Sequence, residues 1–542
     1  MKLLKNICVI SILLITILLW GCQDWLQEDP LDALSEATFF QNTSDAMMAL
    51  TGLYNASSVG DAAGGYEILV STSATDDSQH KGAAVGSIFS GYYDPSEQYY
   101  FVLPMWRRAY TSIYRCNYFL QKIENVDIDT NLKAELIAEA RFIRGYEYFL
   151  LSFLYGGVPL VKKPLTVVEA NTIPRDTYEE TVDFILEELT AAAGDLPATR
   201  PTNERGRILK GAAFAVKGKL LMINERWGEA AEAYKEVMDL GVHTIDPRFK
   251  KLFEEAGETS SEIIMSAIKI VNERPNNFNQ QNAKPGFYGG YDEENATQEL
   301  VNAFLCSDGL PIEESPLYDP ENPFKNRDPR LYATLFLPQY TIFNGTLYLA
   351  HPELTNYGLK SLHGATGYGW KKFTTDGYTG EQGNSGDDII HIRYAEVLLG
   401  YLESKLENGD PITQQLLDET INKVRRREEI QMTPVTETNS DKLREIIRRE
   451  RRVEFALERY IRYIDIRRWN IFYDVMNVQF HGMKLTNDPE NYTDFAVETT
   501  GPYRGHYKAL NRTGSFKPGR HLVPIPQYEI DTNPNLVQNP GY

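Results

Sequence analysis

Two stretches of the sequence combine aromatic rings with glycine and polar side chains, a composition suited to holding a ligand without covalent chemistry. In residues 60–104 the candidate contacts are Asp76, Asp77, His80, Tyr92 and Tyr93. In residues 272–388 they are Phe287, Tyr288, Tyr291, Trp370 and Tyr378. Flat rings offer apolar faces for stacking, and neighbouring glycines leave space for a ligand to approach. Each ring could equally pack in the core or anchor a loop, and the sequence leaves both alternatives open.

The length of these stretches supports a binding role. Both are rich in Gly and Tyr and show little sustained helical or strand period. Loops of this length inside a compact protein are usually either functional or disordered. Disordered segments are poor in aromatic residues, so the rings argue against disorder. We therefore place the ligand site in these two stretches.

Catalytic motifs are missing from the sequence. It contains no Gly-x-Ser-x-Gly turn, no His-Glu-x-x-His and no glycine-rich phosphate loop followed by Lys and Ser or Thr. Paired carboxylates such as Asp387–Asp388 and Glu293–Glu294 occur, but in a chain with 75 acidic residues such pairs are usually solvated surface. A glycosidase needs two carboxylates at a fixed separation in space, which one sequence leaves open. The motifs alone favour a binding protein, and a glycoside hydrolase stays open as the alternative.

Cys22 is a candidate for lipid attachment. Lys2 and Lys5 precede an apolar run over residues 7–20, and Gly21 stands directly before the cysteine. A basic start, a short apolar stretch and a small residue before the cleavage point are typical of a secretory signal peptide. Residues 19–22 resemble a bacterial lipobox, in which the cysteine becomes the acylated first residue. The alternative is an ordinary signal peptide with an incidental cysteine.

The anchor makes a prediction about location. Two or more acyl chains hold a protein on a bilayer almost permanently. The acidic segment that follows Cys22 resembles the export tether of surface lipoproteins in certain Gram-negative bacteria. We expect the folded body to hang from the outer membrane, facing the cell exterior.

Composition limits the remaining ligand classes. The chain has 542 residues and a formal net charge of −20, which disfavours nucleic acid as a ligand. With Cys8 in the signal and Cys22 acylated, Cys116 and Cys306 remain; they could pair in an exported protein, but the sequence does not decide this. No Cys/His spacing indicates a zinc site. We predict no cofactor; structural calcium is possible but not indicated.

Several segments have helical period and length. We predict helices over residues 132–155, a pair within 208–240 broken near residues 224–226, a pair at 389–407 and 413–429, and one long amphipathic helix over 441–469. In the 208–240 pair, small residues and rings recur as in tetratricopeptide hairpins, where small residues let two helices approach. They are Phe214, Gly218, Leu221, Ala230, Tyr234 and Val237.

The predicted fold class is mainly α, a tetratricopeptide-like scaffold of helical hairpins with long irregular loop excursions and little β structure. A scaffold that binds only protein partners would explain the hairpins but not the Tyr- and Gly-rich excursions. The predicted segments are a signal peptide (1–21), a lipid-anchored acidic tether (22–34), an N-terminal helical part (35–271), a loop-rich ligand-binding excursion (272–388), a C-terminal helical part (389–475) and an extended C-terminal strap packed on the body (476–542).

Three motifs carry a specific resemblance. The first is Glu-Ala-Arg-Phe-Ile-Arg-Gly-Tyr-Glu-Tyr-Phe at 139–149 with Leu-Tyr-Gly-Gly-Val-Pro-Leu at 154–160. The second is Arg-Arg-Glu-Arg-Arg-Val-Glu-Phe at 448–455, leading to Asp-Ile-Arg-Arg-Trp at 465–469. The third is the tail, with Pro-Ile-Pro-Gln-Tyr-Glu-Ile-Asp at 524–531 and Asn-Pro-Asn-Leu-Val-Gln-Asn-Pro-Gly-Tyr at 533–542. Together with the lipobox they resemble the SusD/RagB family of nutrient-binding outer-membrane lipoproteins.

The resemblance implies a function. Members of this family form a lid on a SusC-like TonB-dependent outer-membrane transporter, bind oligosaccharides or sometimes peptides without hydrolysing them, and pass them on. For a sugar ligand, the candidate rings would stack on the apolar C–H faces, and the surrounding Asp and His side chains would bind hydroxyl groups. The family's ligand contacts vary between members, so none is transferred to this chain.

Two of the motifs have a structural interpretation. The Arg/Glu-dense segment 441–469 could bind an anionic ligand, but we favour an ion-pair network, with Glu445–Arg449 and Glu458–Arg462 as pairs one helical turn apart. Because its prolines disfavour helix and sheet, the tail is predicted to be an extended strap.

Overall fold

The computed structural model describes residues 40–61, 71–80, 93–98, 101–278, 293–350, 366–378, 380–381, 383–513 and 516–542. The segments predicted as signal peptide and acidic tether, with Cys22, lie outside these residues, so those assignments stay predictions. No described helix combines the length and apolar character needed to cross a membrane.

The body is mainly helical, as the sequence predicts. Its helices are α1 (Thr43–Ala56), α2 (Val102–Ile123), α3 (Thr130–Tyr155), α4 (Val167–Ala170), α5 (Tyr178–Asp195), α6 (Lys210–Ile223), α7 (Trp227–Asp239), α8 (Gln298–Ala303), α9 (Pro329–Thr334), α10 (Tyr394–Glu407), α11 (Gln414–Glu419), α12 (Ile421–Arg425), α13 (Ser440–Glu454), α14 (Ile461–Arg468), α15 (Phe472–Met476) and α16 (Gln527–Thr532). Helices α1, α2, α3, α5, α6, α7, α10 and α13 pack successively side by side. The helical scaffold therefore continues across the loop-rich excursion.

The α6–α7 hairpin shows why small residues recur at its crossing. A Cβ atom on Gly218 of α6 would lie 2.9 Å from the ring of Tyr234 on α7, and one on Gly400 of α10 would lie 2.7 Å from the same ring. Tyr234 is buried between the two glycines. Three helices pack around one ring here because two of them offer it a surface without side chains.

Small two-stranded sheets join the helical body to a second apolar core. Their strands are β1 (Ser78–His80), β2 (Ile263–Ala267), β3 (Glu294–Ala296), β4 (Leu335–Phe336), β5 (Ile342–Phe343), β6 (Thr346–Leu347), β7 (Gly369–Trp370), β8 (Ile389–Arg393), β9 (Gln479–Lys484) and β10 (His506–Thr513). The antiparallel pairs are β1 with β3, β2 with β8, β4 with β7, β5 with β6, and β9 with β10. The second core is built largely from residues of the excursion, including Phe304, Phe336 and Trp370.

Three helix predictions are wrong in part. The helix predicted over 413–429 is divided at Thr420 into α11 and α12, and α12 ends at Arg425. Residues 389–393 form strand β8, because this short run of isoleucines is buried against β2, and such a run fits strand as well as helix. The predicted helix over 441–469 is interrupted between Glu454 and Ile461. There the carbonyl oxygens of Glu454 and Ala456 accept hydrogen bonds from Lys372 Nζ at 3.2 and 3.1 Å, and Tyr460 adopts a φ of 59°.

The C-terminal segment is packed on the body but is not extended throughout. Residues 479–513 contribute the β9–β10 pair, and α16 is a short helix. Beyond α16 the tail is fastened by side-chain amides: Asn533 Nδ2 donates to Ile173 O at 2.8 Å, and Asn539 Nδ2 donates to Tyr155 O at 2.9 Å. Arg175 completes the attachment by donating to Val537 O at 2.9 Å and to Asn539 Oδ1 at 2.6 Å.

The Arg/Glu-dense motif forms a buried charge network, as we favoured from the sequence, but with distant partners. Glu454 accepts from Arg330 at 2.8 Å, from Arg393 at 2.7 Å and from Arg427 at 3.0 Å, and all four side chains are enclosed. Glu262, Glu450, Glu458, Arg425 and Lys372 extend this network. The predicted Glu458–Arg462 pair is wrong, because Glu458 bonds to Arg393 and Lys372 while Arg462 bonds to Asp76.

Candidate functional site

Asp76 and Asp77 are held in ion pairs rather than presented to a ligand. Arg462 donates to both carboxylate oxygens of Asp76 at 2.8 and 2.7 Å, and Arg452 Nε donates to Asp77 at 2.7 Å. Burial opposes the charge of Asp76, but the two guanidinium groups hold its pKa well below the usual range. The expectation that these carboxylates bind a ligand is corrected, because both are buried and bonded to arginine.

His80, Tyr93 and Trp370 are also interior residues. The Trp370 side chain is 0% exposed, and its indole N–H lies 3.4 Å from Ser78 Oγ. The Tyr93 hydroxyl lies 3.4 Å from that of Tyr463, within the main core. His80 is buried 3.6 Å from the Glu293 carboxylate. None of the three offers a face to a ligand, so the expectation for them is corrected too.

Tyr378 is half-buried, and its hydroxyl donates toward the backbone oxygens of Glu381 and Asn384, each at 3.1 Å. This ring anchors a turn, which was the alternative to ligand contact. Tyr92, Phe287, Tyr288 and Tyr291 lie outside the described residues. Their ligand contacts stay predictions.

An open cleft of about 1010 Å³ lies among the described residues, and its lining makes it the candidate binding site. One wall is the loop region between α8 and β5, with the rings of Tyr318, Phe324 and Tyr340. The opposite wall is the β9–β10 region, including Lys484, Asn487, Arg504 and His506, and Gln298, Asn302 and Tyr368 also line the cleft. The cleft thus combines aromatic faces with amide and charged groups, the composition of a site for a polar ligand with apolar faces.

Tyr340 is the most accessible ring of the cleft. Its side chain is 45% exposed, and one side packs against Tyr332, with the two rings inclined by only 20° and their centroids 5.5 Å apart. Tyr332 is itself fixed, because its hydroxyl donates to Phe324 O at 2.7 Å and accepts from Arg327 N at 3.1 Å. Burial raises the pKa of Tyr332 to about 12, so this hydroxyl remains a donor at neutral pH. Tyr332 therefore supports one face of the Tyr340 ring, and the exposed part of the ring is available for a ligand to stack on.

Arg327 holds the aromatic wall together. It is buried, and its guanidinium donates to Pro323 O at 2.8 Å and to Val301 O and Phe304 O at 2.7 Å each. The same group lies 5.7 Å from the ring centroid of Tyr318. These carbonyl bonds tie the Pro-rich loop to the end of α8, so the rings stand on a braced loop rather than on a free one.

Gly505 shapes the opposite wall. It has a φ of 81°, and a Cβ atom there would overlap the carbonyl oxygen of Thr486 at 1.9 Å. Its own carbonyl accepts from Leu485 N at 2.8 Å. Only glycine fits this close approach without strain. Its two neighbours in sequence, Arg504 and His506, line the cleft, and the tight packing of Gly505 fixes the turn that carries them.

The cleft holds polar groups of more than one kind. Burial lowers the pKa of His506 to about 4, so its ring is neutral at physiological pH, with Nδ1 3.0 Å from Gly482 O. Arg504 is 46% exposed, and it donates to Asn487 O and to the Glu490 carboxylate at 2.9 and 2.7 Å. The cleft carboxylates Glu313 and Glu321 are exposed to solvent.

Sequence reasoning missed Tyr318, Phe324, Tyr340 and the whole β9–β10 wall. The first three lie within the excursion 272–388, where a usable signal was the run of prolines around the rings at 316–324. For the β9–β10 wall we identified no such signal, and its residues fall in the segment 476–542 that we predicted to be an extended strap. No group of three or more His, Cys, Asp or Glu side chains within the described ranges is arranged to hold a metal ion. Cys116 and Cys306 are both buried free thiols.

Comparison with known proteins agrees with this architecture. The sequence profile of the SusD family matches residues 262–542, and a profile described as starch-binding, associating with the outer membrane, matches residues 24–221. The chain belongs to the SusD family.

Individual relatives cover nearly the whole chain. A crystal structure of a SusD-like carbohydrate-binding protein from Bacteroides fragilis NCTC 9343 is 33% identical, covers 92% of this chain and 100% of its own, and superposes with a TM-score of 0.85. Another SusD-like protein structure from the same strain is 27% identical over 95% of this chain and 100% of its own, with a TM-score of 0.77. SusD-like protein P25 of Formosa agariphila is 25% identical over 99% of both chains.

Proposed function

We propose that this protein is a cell-surface lipoprotein that binds an oligosaccharide in the cleft and delivers it to a SusC-like TonB-dependent outer-membrane transporter. The observation that carries the proposal is the exposed Tyr340 ring, backed by Tyr332, inside a cleft lined by amide and charged side chains. A pyranose ring needs an aromatic face for its C–H groups and polar groups around that face for its hydroxyls. The carbohydrate-binding description of the 33% identical relative supports the same ligand class.

Capture without turnover fits the charges of the cleft. Its lining carboxylates, Glu313 and Glu321, are open to solvent. The general acid of a glycosidase is typically a carboxyl group held in an apolar environment. The membrane location would come from acylation of Cys22, and the outer-membrane description of the profile that matches residues 24–221 supports it.

Isothermal titration against a panel of oligosaccharides tests the ligand class. The chain should bind at least one glycan, and Tyr340→Ala should weaken that binding by about fivefold or more, since a lost stacking face is worth ~1 kcal/mol or more. Tyr528→Ala is the matched control, because Tyr528 is 52% exposed and lies outside the cleft. Equal affinities for wild type and Tyr340→Ala would place the glycan elsewhere.

Two further measurements separate the alternatives. Release of shorter sugars from the bound glycan by the pure protein would make it a surface glycoside hydrolase, and affinity for peptides instead of glycans would make peptide its cargo.

The anchor and the partner need experiments of their own. Cys22→Ala should move the protein out of the membrane fraction. Affinity purification from membranes should recover a large outer-membrane transporter, and its repeated absence would contradict the delivery step.

A further inference from the structure

A second cavity lies where the C-terminal tail meets the helical body. We call it the tail cavity; its volume is about 530 Å³. Its apolar lining consists of Phe153, Tyr178, Ile223, Ile464, Leu522 and Pro540. Its cationic lining consists of Arg175, Arg467 and Arg468, with His521 beside them. It shares no lining residue with the cleft.

The charges of the tail cavity are unbalanced. Arg468 is neutralised by Glu403 and Asp465 at 2.6 and 2.8 Å. Arg175 gives its hydrogen bonds to neutral acceptors, the backbone oxygens of Gly157, Tyr155 and Val537 and the amide of Asn539. Neither Arg175 nor Arg467 has a carboxylate within ion-pair distance among the residues described. This is unusual in a chain whose net charge is −20.

Arg467 is the least satisfied of these groups. Its Nη1 is buried and has no hydrogen-bond partner in the described part of the chain. Its guanidinium packs on Tyr463, 5.0 Å from the ring centroid. A buried donor without an acceptor is unfavourable, and more so when the group is charged. An anionic group in the cavity would supply the missing acceptor.

We propose that the tail cavity binds a small amphipathic carboxylate, with its apolar part against Ile223, Ile464 and Leu522 and its carboxylate on Arg467. Asp176 also lines the cavity, but its Oδ2 is engaged with Leu160 N at 2.8 Å. His521 is the neighbouring reporter: burial and the charge of Arg467 lower its pKa, and its Nδ1 lies 3.1 Å from the Tyr473 hydroxyl. A bound carboxylate would offset the charge of Arg467 and raise the pKa of His521.

Titration with octanoate and with octanamide tests the proposal. The Cys22→Ala chain is suitable, because it keeps every described residue and needs no detergent. Octanoate should bind at least about tenfold more tightly than octanamide, its uncharged counterpart. Arg467→Met, which keeps the apolar stem, should reduce octanoate to the level of octanamide. Arg504→Met removes the same charge at the cleft and should leave octanoate binding unchanged.

A second readout uses the wild-type side chains and so does not depend on how a variant folds. In protein labelled with ¹⁵N-histidine, the signal that disappears in His521→Asn should titrate at higher pH when octanoate is added. Octanoate binding no tighter than octanamide, or an unchanged His521 titration under saturation, would overturn the proposal. Glycan affinity should be the same with and without octanoate. A negative octanoate result would therefore leave the proposal of glycan binding in the cleft untouched, and the reverse also holds.

Discussion

Arg393 in the buried charge network and Arg504 in the cleft show how one residue type serves two purposes in this molecule. Arg393 is 0% exposed and bonds to Glu262, Glu454 and Glu458, so its charge is neutralised by carboxylates within the fold. Arg504 is 46% exposed and bonds to a single carboxylate, which leaves it able to meet a ligand. The aromatic residues divide in the same way, with Trp370 interior and Tyr340 open. In these two pairs, burial rather than residue type decides whether a side chain stabilises the fold or is available to a ligand.

The largest expected effect is in the charge network. Arg393→Met should lower the free energy of unfolding by about 3–5 kcal/mol, because it leaves enclosed carboxylates without their counter-charge. Urea denaturation followed by circular dichroism measures this. Arg504→Met is the matched control, and equal stability losses for the two variants would contradict the contrast between network and cleft.

Glu147 sharpens the comparison, since it is a buried carboxyl group that no described residue pairs with in a salt bridge. It accepts hydrogen bonds from Ser58 N at 2.6 Å and Ser58 Oγ at 3.1 Å, but burial raises its pKa to about 7. The folded state therefore holds this proton more tightly than the unfolded state. The resulting stability is complete below the ordinary pKa of glutamate and is lost as the pH rises through about 7.

The pH dependence of unfolding tests this assignment. Relative to Glu147→Gln, the wild type should lose about 3 kcal/mol of stability between roughly pH 4.5 and pH 7. Glu454 behaves oppositely, because its arginine partners overcome burial and hold its pKa far below the usual range. Its contribution is complete above the ordinary pKa of glutamate and is lost progressively as the pH falls from there through the low folded-state pKa. Parallel pH profiles for the wild type and Glu147→Gln would show that the pKa of Glu147 is the same in the folded and unfolded states, and would contradict the assignment.

The cleft wall should be sensitive to backbone shape rather than to charge. Gly505→Ala should lower stability by about 1–3 kcal/mol and weaken glycan binding, because the new Cβ atom overlaps Thr486 O. Gly501→Ala is a close control, since Gly501 also has a positive φ, 74°, but no atom within 4 Å of the added Cβ. Similar losses in both variants would mean that the φ angle, and not the overlap, is responsible.

The smallest stability effect is expected at the Tyr340 ring itself. Tyr340→Ala should change the free energy of unfolding by no more than about 1 kcal/mol, because nearly half of the side chain is already in water. Combined with reduced glycan affinity, this result would separate binding from folding. A stability loss comparable with that of Arg393→Met would make Tyr340 a structural residue.

Long periodic segments could be predicted from the sequence, and contacts between distant residues could not. Helices α3, α6 and α7 follow the predicted spans because their apolar residues recur at three and four over more than two turns. The run at 389–393 is too short for its period to distinguish strand from helix. The charge network was predicted as a class of interaction, whereas its partners Arg330 and Glu450 are 120 residues apart and no spacing rule links them.

The candidate site was harder to predict than the fold. Asp76, Asp77 and Trp370 have the composition of a binding site but are enclosed by Arg452, Arg462 and the second core. Burial depends on the tertiary structure, so a single sequence does not distinguish Trp370 from Tyr340. The second wall of the cleft comes from β9 and β10, more than 100 residues further along the chain than Tyr340.

The fastening of the tail onto Tyr155, Ile173 and Arg175 has a consequence for biogenesis. Arg175 receives two of its acceptors from Val537 and Asn539, which lie 362 and 364 residues further along the chain. A chain emerging from the ribosome therefore lacks these bonds until residues 537–539 have been synthesised. The segment between α3 and α5 can reach its final arrangement only after that point, later than the helices on either side of it.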